Sequence, residues 1–186
     1  MSQKKAAAPG LVRPARFENA LYAMCVALRL YSTVHVWGLA RRLWSALTGR
    51  SNRLLDLAAV CRACDVRGCR LDGIRGVPLR EIRGSGGRCG DFDADFRPLG
   101  GHLKGRWVGI AMARRMGRAM PPVELVQVGD VYFVRDGHHR ISVARALGQK
   151  AIDARVTVWR VSEALPGERR CRPAVRPSRW KSYPVH

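Results

Sequence analysis

Five consecutive residues, Asp136, Gly137, His138, His139 and Arg140, gather a carboxylate, a flexible backbone position, two imidazoles and a guanidinium. The β-branched run Val131–Val134 precedes them, and Ile141, Val143, Ala144 and Leu147 follow at helical spacing. A strand that ends at Arg135-Asp136-Gly137 and a helix that begins near His138 would aim free backbone N–H groups and the positive end of the helix dipole at one spot. An anion belongs there. Gly137 lets backbone approach closely, Arg140 offers a fork of donors, and His138 and His139 offer donors that can exchange protons near neutral pH. The stretch therefore reads as a phosphate site made by Asp136, Gly137, His138, His139 and Arg140, with His138 and His139 the candidate acid–base groups of any catalysis. The competing reading makes Asp136 a helix cap and the histidines structural.

Asp91, Asp93 and Asp95 alternate with Phe92 and Phe96 in Gly-rich surroundings, a pattern that can present Asp91 and Asp93 to a magnesium ion beside a nucleotide. The alternative is a short loop whose aromatic residues anchor in the core while its aspartates cap turns or pair with Arg88 and Arg97. Cys61, Cys64 and Cys69, with Cys89 further on, have only part of a zinc spacing, because a second close pair is missing; zinc is not expected. His35 and His102 fall in helix-like stretches and are expected as ordinary surface or core residues, and the five tryptophans are too scattered for a base-stacking platform.

The segment GDVYFVRDGHHRISVARALG, followed by IDARV and preceded by GGRCGDFDADFRP, resembles the ParB/sulfiredoxin-like superfamily, over about residues 77–158. The resemblance implies a small α+β domain in which strand, Gly-x-x-Arg turn and helix form a nucleotide site. Gly137 and Arg140 match the phosphate-contacting Gly and Arg, and Ala144 matches a small residue on the helix that follows. Sulfiredoxins carry a catalytic Cys immediately before His-Arg, where this chain has His138, so the resemblance does not extend to sulfiredoxin chemistry through that position. Free serine kinases of the superfamily look similar around Asp-Gly-His-His-Arg, which keeps phosphoryl transfer open. Chromosome-partitioning ParB proteins continue into a helix-turn-helix, whereas about 28 residues rich in Pro and Arg follow Val158 here, so sequence-specific operator binding is not expected.

The elements that must position the turn follow from periodicity. Residues 1–15 read as a disordered basic arm and 16–66 as a helical extension. One stripe runs over Phe17, Leu21, Met24, Cys25, Leu28 and Tyr31, and Ser32-Thr33 is a possible break. A second stripe covers Trp37, Ala40, Leu43, Trp44 and Leu47 and stops at Gly49, so a helix or helical hairpin is expected, then a short helix capped by Ser51 or Asn52. Residues 68–101 read as loop with one short strand over 77–82. A helix is predicted over 103–116, strands over 123–128 and 131–135 joined at Gly129-Asp130, the site helix ending at Gly148, and a strand over 152–158. The domain proper is placed at 67–160, with a flexible basic tail over 161–186. A small mixed sheet with packed helices, of the α+β class, is the predicted fold.

The chain of 186 residues supports one core, and 47% hydrophobic with 26% charged residues exclude a disordered or wholly membrane-embedded protein. A formal charge of +20, nearly all from Arg, predicts attraction to polyanions, which makes nucleic acid a plausible partner beside the nucleotide. Arg29 sits near the centre of the only long apolar stretch, where an insertion scale sets the cost at about 2.5 to 3.5 kcal/mol, so no transmembrane segment is expected. With no secretory signal read near the N-terminus, a cytoplasmic protein is expected. These features predict a ParB-like nucleotide-binding protein associated with nucleic acid, its cofactor a nucleoside di- or triphosphate with magnesium. Two alternatives stand beside it: a phosphotransferase or nuclease using His138 or His139, and an interaction protein whose N-terminal helices dock a partner or an anionic membrane while the phosphate site is vestigial.

Overall fold

Hydrophobic strands with two differently covered faces account for the architecture. The computed structural model describes residues 14–64 and 66–161. Six strands, β1 (Leu55–Asp56), β2 (Val66–Pro78), β3 (Ile82–Ser85), β4 (Val123–Val128), β5 (Val131–Asp136) and β6 (Ala151–Val161), lie in the order β1-β3-β5-β4-β6-β2. The pairs β1–β3, β3–β5 and β4–β6 are parallel, and β4–β5 and β2–β6 are antiparallel. Among the described residues four α-helices accompany the sheet: α1 (Pro14–Thr48), α2 (Leu57–Ala63), α3 (Lys104–Arg115) and α4 (His138–Ala146). The protein is thus α+β, with a mixed sheet and packed helices.

Alternation along β4 and β5 sends side chains to opposite sides of the sheet. Val123, Leu125, Tyr132 and Val134 join Ile141 and Ala144 of α4, together with Leu103, in one cluster. Val126, Val128, Val131 and Phe133 face the other way and pack with Leu57 of α2. A third cluster ties Ala27 and Tyr31 of α1 to Trp107, Val108 and Ala111 of α3 and to Val143 of α4. The Trp107 indole N–H donates to the buried Ser142 Oγ at 2.8 Å, which locks α3 to the site helix.

Several local expectations hold closely. The Gly129-Asp130 turn joins β4 to β5, with Val128 opposite Val131 and Gly129 at φ 58°. Phe92 and Phe96 are fully buried, as the anchoring reading of their loop required.

Four differ. Ser32 and Thr33 do not break α1, which runs unbroken for 35 residues. The Thr33 hydroxyl bonds back to the Arg29 carbonyl at 3.1 Å, and the loop at 98–100 grips the helix on either side of that position. There the Tyr31 hydroxyl donates to the Gly100 carbonyl at 3.1 Å, and His35 Nδ1 meets the Pro98 carbonyl at 2.8 Å. The short helix starts at Leu57 instead of near residue 52, because Asp56 is its cap, accepting from the Ala58 N–H at 3.0 Å. Residues 68–76, expected as loop, instead belong to β2, thirteen residues long and paired with β6 from Val66–Val161 to Pro78–Ala151, and the strand expected over 77–82 is divided: Val77 and Pro78 close β2, Leu79–Glu81 form a 3-10 turn and Ile82 opens β3. Finally, β1 lies inside the stretch expected as helical extension, and it pairs with β3. The arm expected over 1–15 and the tail over 161–186 lie outside the described residues, apart from residues 14 and 15 in α1 and Val161 in β6.

Candidate anion site at the start of helix α4

Gly137 makes the turn that the site depends on. Its φ of 98° is in the left-handed region, and a Cβ there would come within 2.5 Å of Val123 Cγ1 on the neighbouring strand. No other residue fits both demands. The turn has no side-chain cap, and the first helical amide bond runs from the Ile141 N–H to the Gly137 carbonyl at 3.0 Å. The preceding N–H groups of α4 therefore point out of the helix with no partner inside it.

A cavity of about 90 Å³ opens at this point, lined by Arg88, Arg106, Ile110, Arg135, Asp136, Gly137, His138, His139 and Arg140. Four arginines face one carboxylate, and that carboxylate is already engaged: Arg140 Nη2 donates to Asp136 Oδ2 at 2.5 Å. A second cavity, about 160 Å³, shares Ile110 and Arg140 with the first and extends past Ala144 toward Pro121 and Ile152. A roomier cavity of about 510 Å³ lies elsewhere, between α1 and the loop at 89–93, and none of the turn residues lines it.

The predicted site residues differ in how they are held. Arg140 Nη1 donates to the Pro121 and Pro122 carbonyls at 2.6 and 2.9 Å, so three of its five N–H groups are committed to the protein. It is a clasp between α4 and the entry to β4 as well as a candidate phosphate contact. His138 and His139 are buried, at 4% and 5% exposure, and not freely accessible donors. His138 Nε2 lies 2.8 Å from Ser85 Oγ, which also accepts the Arg88 N–H at 3.0 Å. The His138 ring stacks on Phe92 at 5.9 Å, and the His139 ring meets the same phenyl edge-on at 5.5 Å. His139 Nδ1 is buried without a partner.

Burial pushes both imidazoles down from the usual value near 6.5 to about 4, and the positive charge of Arg88 adds to the effect. Both are neutral at physiological pH. The expectation of histidines that exchange protons near neutrality is corrected on this point: desolvation among Phe92, Phe96 and Ser85 disfavours the imidazolium. Each neutral ring can still donate one hydrogen bond and accept another.

The aspartates of the second motif are not arranged as a metal set. Asp93 is fully buried; its Oδ1 accepts from the backbone N–H of Asp95 and Arg97 at 3.0 and 2.8 Å, and its Oδ2 meets Arg97 Nη1 at 3.2 Å. Asp91 pairs with Arg88 at 2.8 Å and lies 3.6 Å from His102. Among the described residues no group of three or more His, Cys, Asp or Glu side chains converges as metal ligands. A magnesium held by Asp91 and Asp93 does not fit this donor set, because the Asp93 oxygens are committed to Arg97 and the loop backbone.

Sequence reasoning did not identify Ser85, Arg88, Arg106 and Arg135 as site residues. Arg135 adjoins the motif and was within reach of a charge count. Ser85 stands 53 positions before His138, and only the pairing of β3 with β5 brings the two together.

No protein-family model matches the chain, and no curated protein matches it. Among solved structures it is similar to a sulfiredoxin from Arabidopsis thaliana, with 20% identity over 45% of this chain and 82% of that one, at a TM-score of 0.33.

Proposed function

We propose that this protein binds a phosphate-bearing ligand, a nucleoside di- or triphosphate, at the N-terminus of α4. The observation that carries this reading is the cluster of uncommitted donors at one turn. Helix N–H groups with no acceptor inside the helix, Arg106 and Arg135, and the two free N–H groups of Arg140 line a cavity whose one acid is already paired; Arg88 lines it too, with its Nε committed to Asp91. The adjoining cavity past Ala144 offers a neighbouring place for the sugar or base. In this reading magnesium arrives with the phosphates and is not held by a protein carboxylate set. The resemblance of the Asp136–Arg140 segment to ParB/sulfiredoxin-like nucleotide sites points the same way, and the +20 charge supports a setting close to nucleic acid.

A binding role is favoured over acid–base catalysis by the state of the histidines. An imidazole with a pKa near 4 is a weak base at neutral pH and holds no proton to give as imidazolium. Titration calorimetry against CTP, ATP, ADP and GTP, with and without magnesium, tests the proposal. Saturable binding to at least one nucleotide, weakened when Arg106 is replaced by Ala, is the expected result. Absence of binding to all four, or turnover of nucleotide or DNA abolished by His138→Gln or His139→Gln with binding retained, refutes it.

A further inference from the structure

The outward face of α1 beyond Tyr31 has no counterpart inside the protein. Val36, Trp37, Leu39, Leu43, Trp44 and Leu47 recur at helical spacings of three, four and seven residues, and all are exposed, the two tryptophans by 61% and 65%. Gly38, on the opposite side, is buried against Arg97 and Pro98. Such a run of large apolar side chains in water marks an interaction surface, because burying each of them in an apolar phase is favourable.

The surroundings of this face select its occupant. No acidic residue follows Glu18 in α1, while Arg41 and Arg42 within the helix and Arg50 and Arg53 just after it are exposed, Arg42 and Arg53 also lining the cavity toward the 89–93 loop. A second copy of the chain would bring another +20 charge against the first, so self-association through this helix is opposed by long-range repulsion. An anionic bilayer meets both features at once: headgroup phosphates take the guanidinium groups while Trp and Leu enter the boundary with the acyl chains. Glu18–Thr48 is long and apolar enough to cross a membrane by length and composition, but its inner side holds Ala27 and Tyr31 against Trp107 of α3. Spanning would tear that cluster open, whereas lying flat leaves it intact.

We propose that the outward face of α1 from Val36 to Leu47 docks this protein on the surface of an anionic lipid bilayer. The helix lies in the interface plane, with Trp37 and Trp44 immersed about 5 to 10 Å into the headgroup boundary.

Flotation of the full chain with vesicles tests the proposal, using phosphatidylcholine alone and phosphatidylcholine mixed with phosphatidylglycerol. The chain is expected to float with the mixed vesicles and to remain in solution with the neutral ones. The triple variant Trp37→Ser, Leu43→Ser, Trp44→Ser should lose at least about tenfold in partitioning at unchanged melting temperature, since these side chains face solvent. In the unaltered chain, bromine-labelled acyl chains should quench tryptophan emission, a readout that does not depend on the variant folding. Three results overturn the proposal: no flotation with the anionic vesicles; flotation of chain and triple variant alike, which would assign binding to net charge; or self-association lost in the variant with no acyl-chain quenching, which would assign the face to a second copy.

Discussion

Two short segments of this protein carry similar side chains and use them in opposite ways. The loop from Asp91 to Arg97 and the turn from Arg135 to Arg140 each bring carboxylates and arginines next to buried aromatic rings. In the loop every Asp93 oxygen is taken up by Arg97 or by backbone N–H groups, and Arg97 also meets Asp95 at 2.7 Å. In the turn the backbone N–H groups of the first helical residues have no acceptor inside the helix, and arginines from two other places, Arg88 and Arg106, line the same cavity. The difference lies in whether donors and acceptors balance. A segment that satisfies itself is structural, and one that leaves a surplus of one sign is ready for a ligand of the other.

That contrast predicts an unequal response to substitution. Asp93→Ala leaves two backbone N–H groups and the Arg97 guanidinium without their acceptor, so unfolding in urea should show a loss of roughly 3 kcal/mol. Nucleotide affinity of the folded fraction should be nearly unchanged, and a large loss of affinity at preserved stability would place the loop in the site. Arg106→Ala should do the reverse, weakening nucleotide binding by about 1.5 to 3 kcal/mol in calorimetry while stability stays within about 0.5 kcal/mol. Gly137→Ala is expected to affect both, because Cβ meets Val123 in a left-handed backbone. A stability loss of about 1 to 3 kcal/mol should accompany reduced binding, measured by thermal melting with and without nucleotide.

The smallest effect per step is a pH dependence. His138 and His139 have folded-state pKa values near 4 against about 6.5 in the unfolded chain, so the unfolded chain binds more protons between those limits. Stability from their neutral burial is fully present above pH 6.5 and is lost as pH falls toward 4, on the order of 1 kcal/mol per pH unit for each histidine. Denaturant titrations at pH 7, 6 and 5 should show this slope, and His138→Gln should reduce it. A stability that is level from pH 7 to 5 would mean that the imidazoles are solvated.

The positions of the two segments were legible before their roles. Val131–Val134, Gly137 and the spacing of Ile141, Ala144 and Leu147 identify a strand, a turn and a helix from local preference alone. Phe92 and Phe96 announce a buried anchor. The commitment of Asp93 to Arg97 was one of two open readings, and nothing in the spacing of Asp91, Asp93 and Asp95 distinguishes a carboxylate paired with arginine from one left for a metal. Arg140 was assigned to phosphate for its fork of donors at the helix start and for its match to the Gly-x-x-Arg pattern. Its bonds to the Pro121 and Pro122 carbonyls depend on where β4 enters the sheet, 18 and 19 residues away.

By itself the sequence determined what depends on neighbours within a few residues: the helix over 104–115, the β4–β5 hairpin at Gly129-Asp130, the turn at Gly137, and a surface charged enough to attract anions. Tertiary structure decided the rest. The Gly- and Arg-rich chain from Val66 to Pro78 becomes a strand because β6 offers a matching ladder of backbone partners, which no local propensity records. Helix α1 stays continuous through Ser32 and Thr33 because Tyr31 and His35 are held by the 98–100 loop. Ser85 reaches His138, and Arg88 and Arg106 reach the same turn, only because β3 lies beside β5 and α3 packs on α4. Burial among those elements, and not the identity of the histidines, sets their pKa values near 4, since desolvation is a property of the surroundings a side chain acquires on folding.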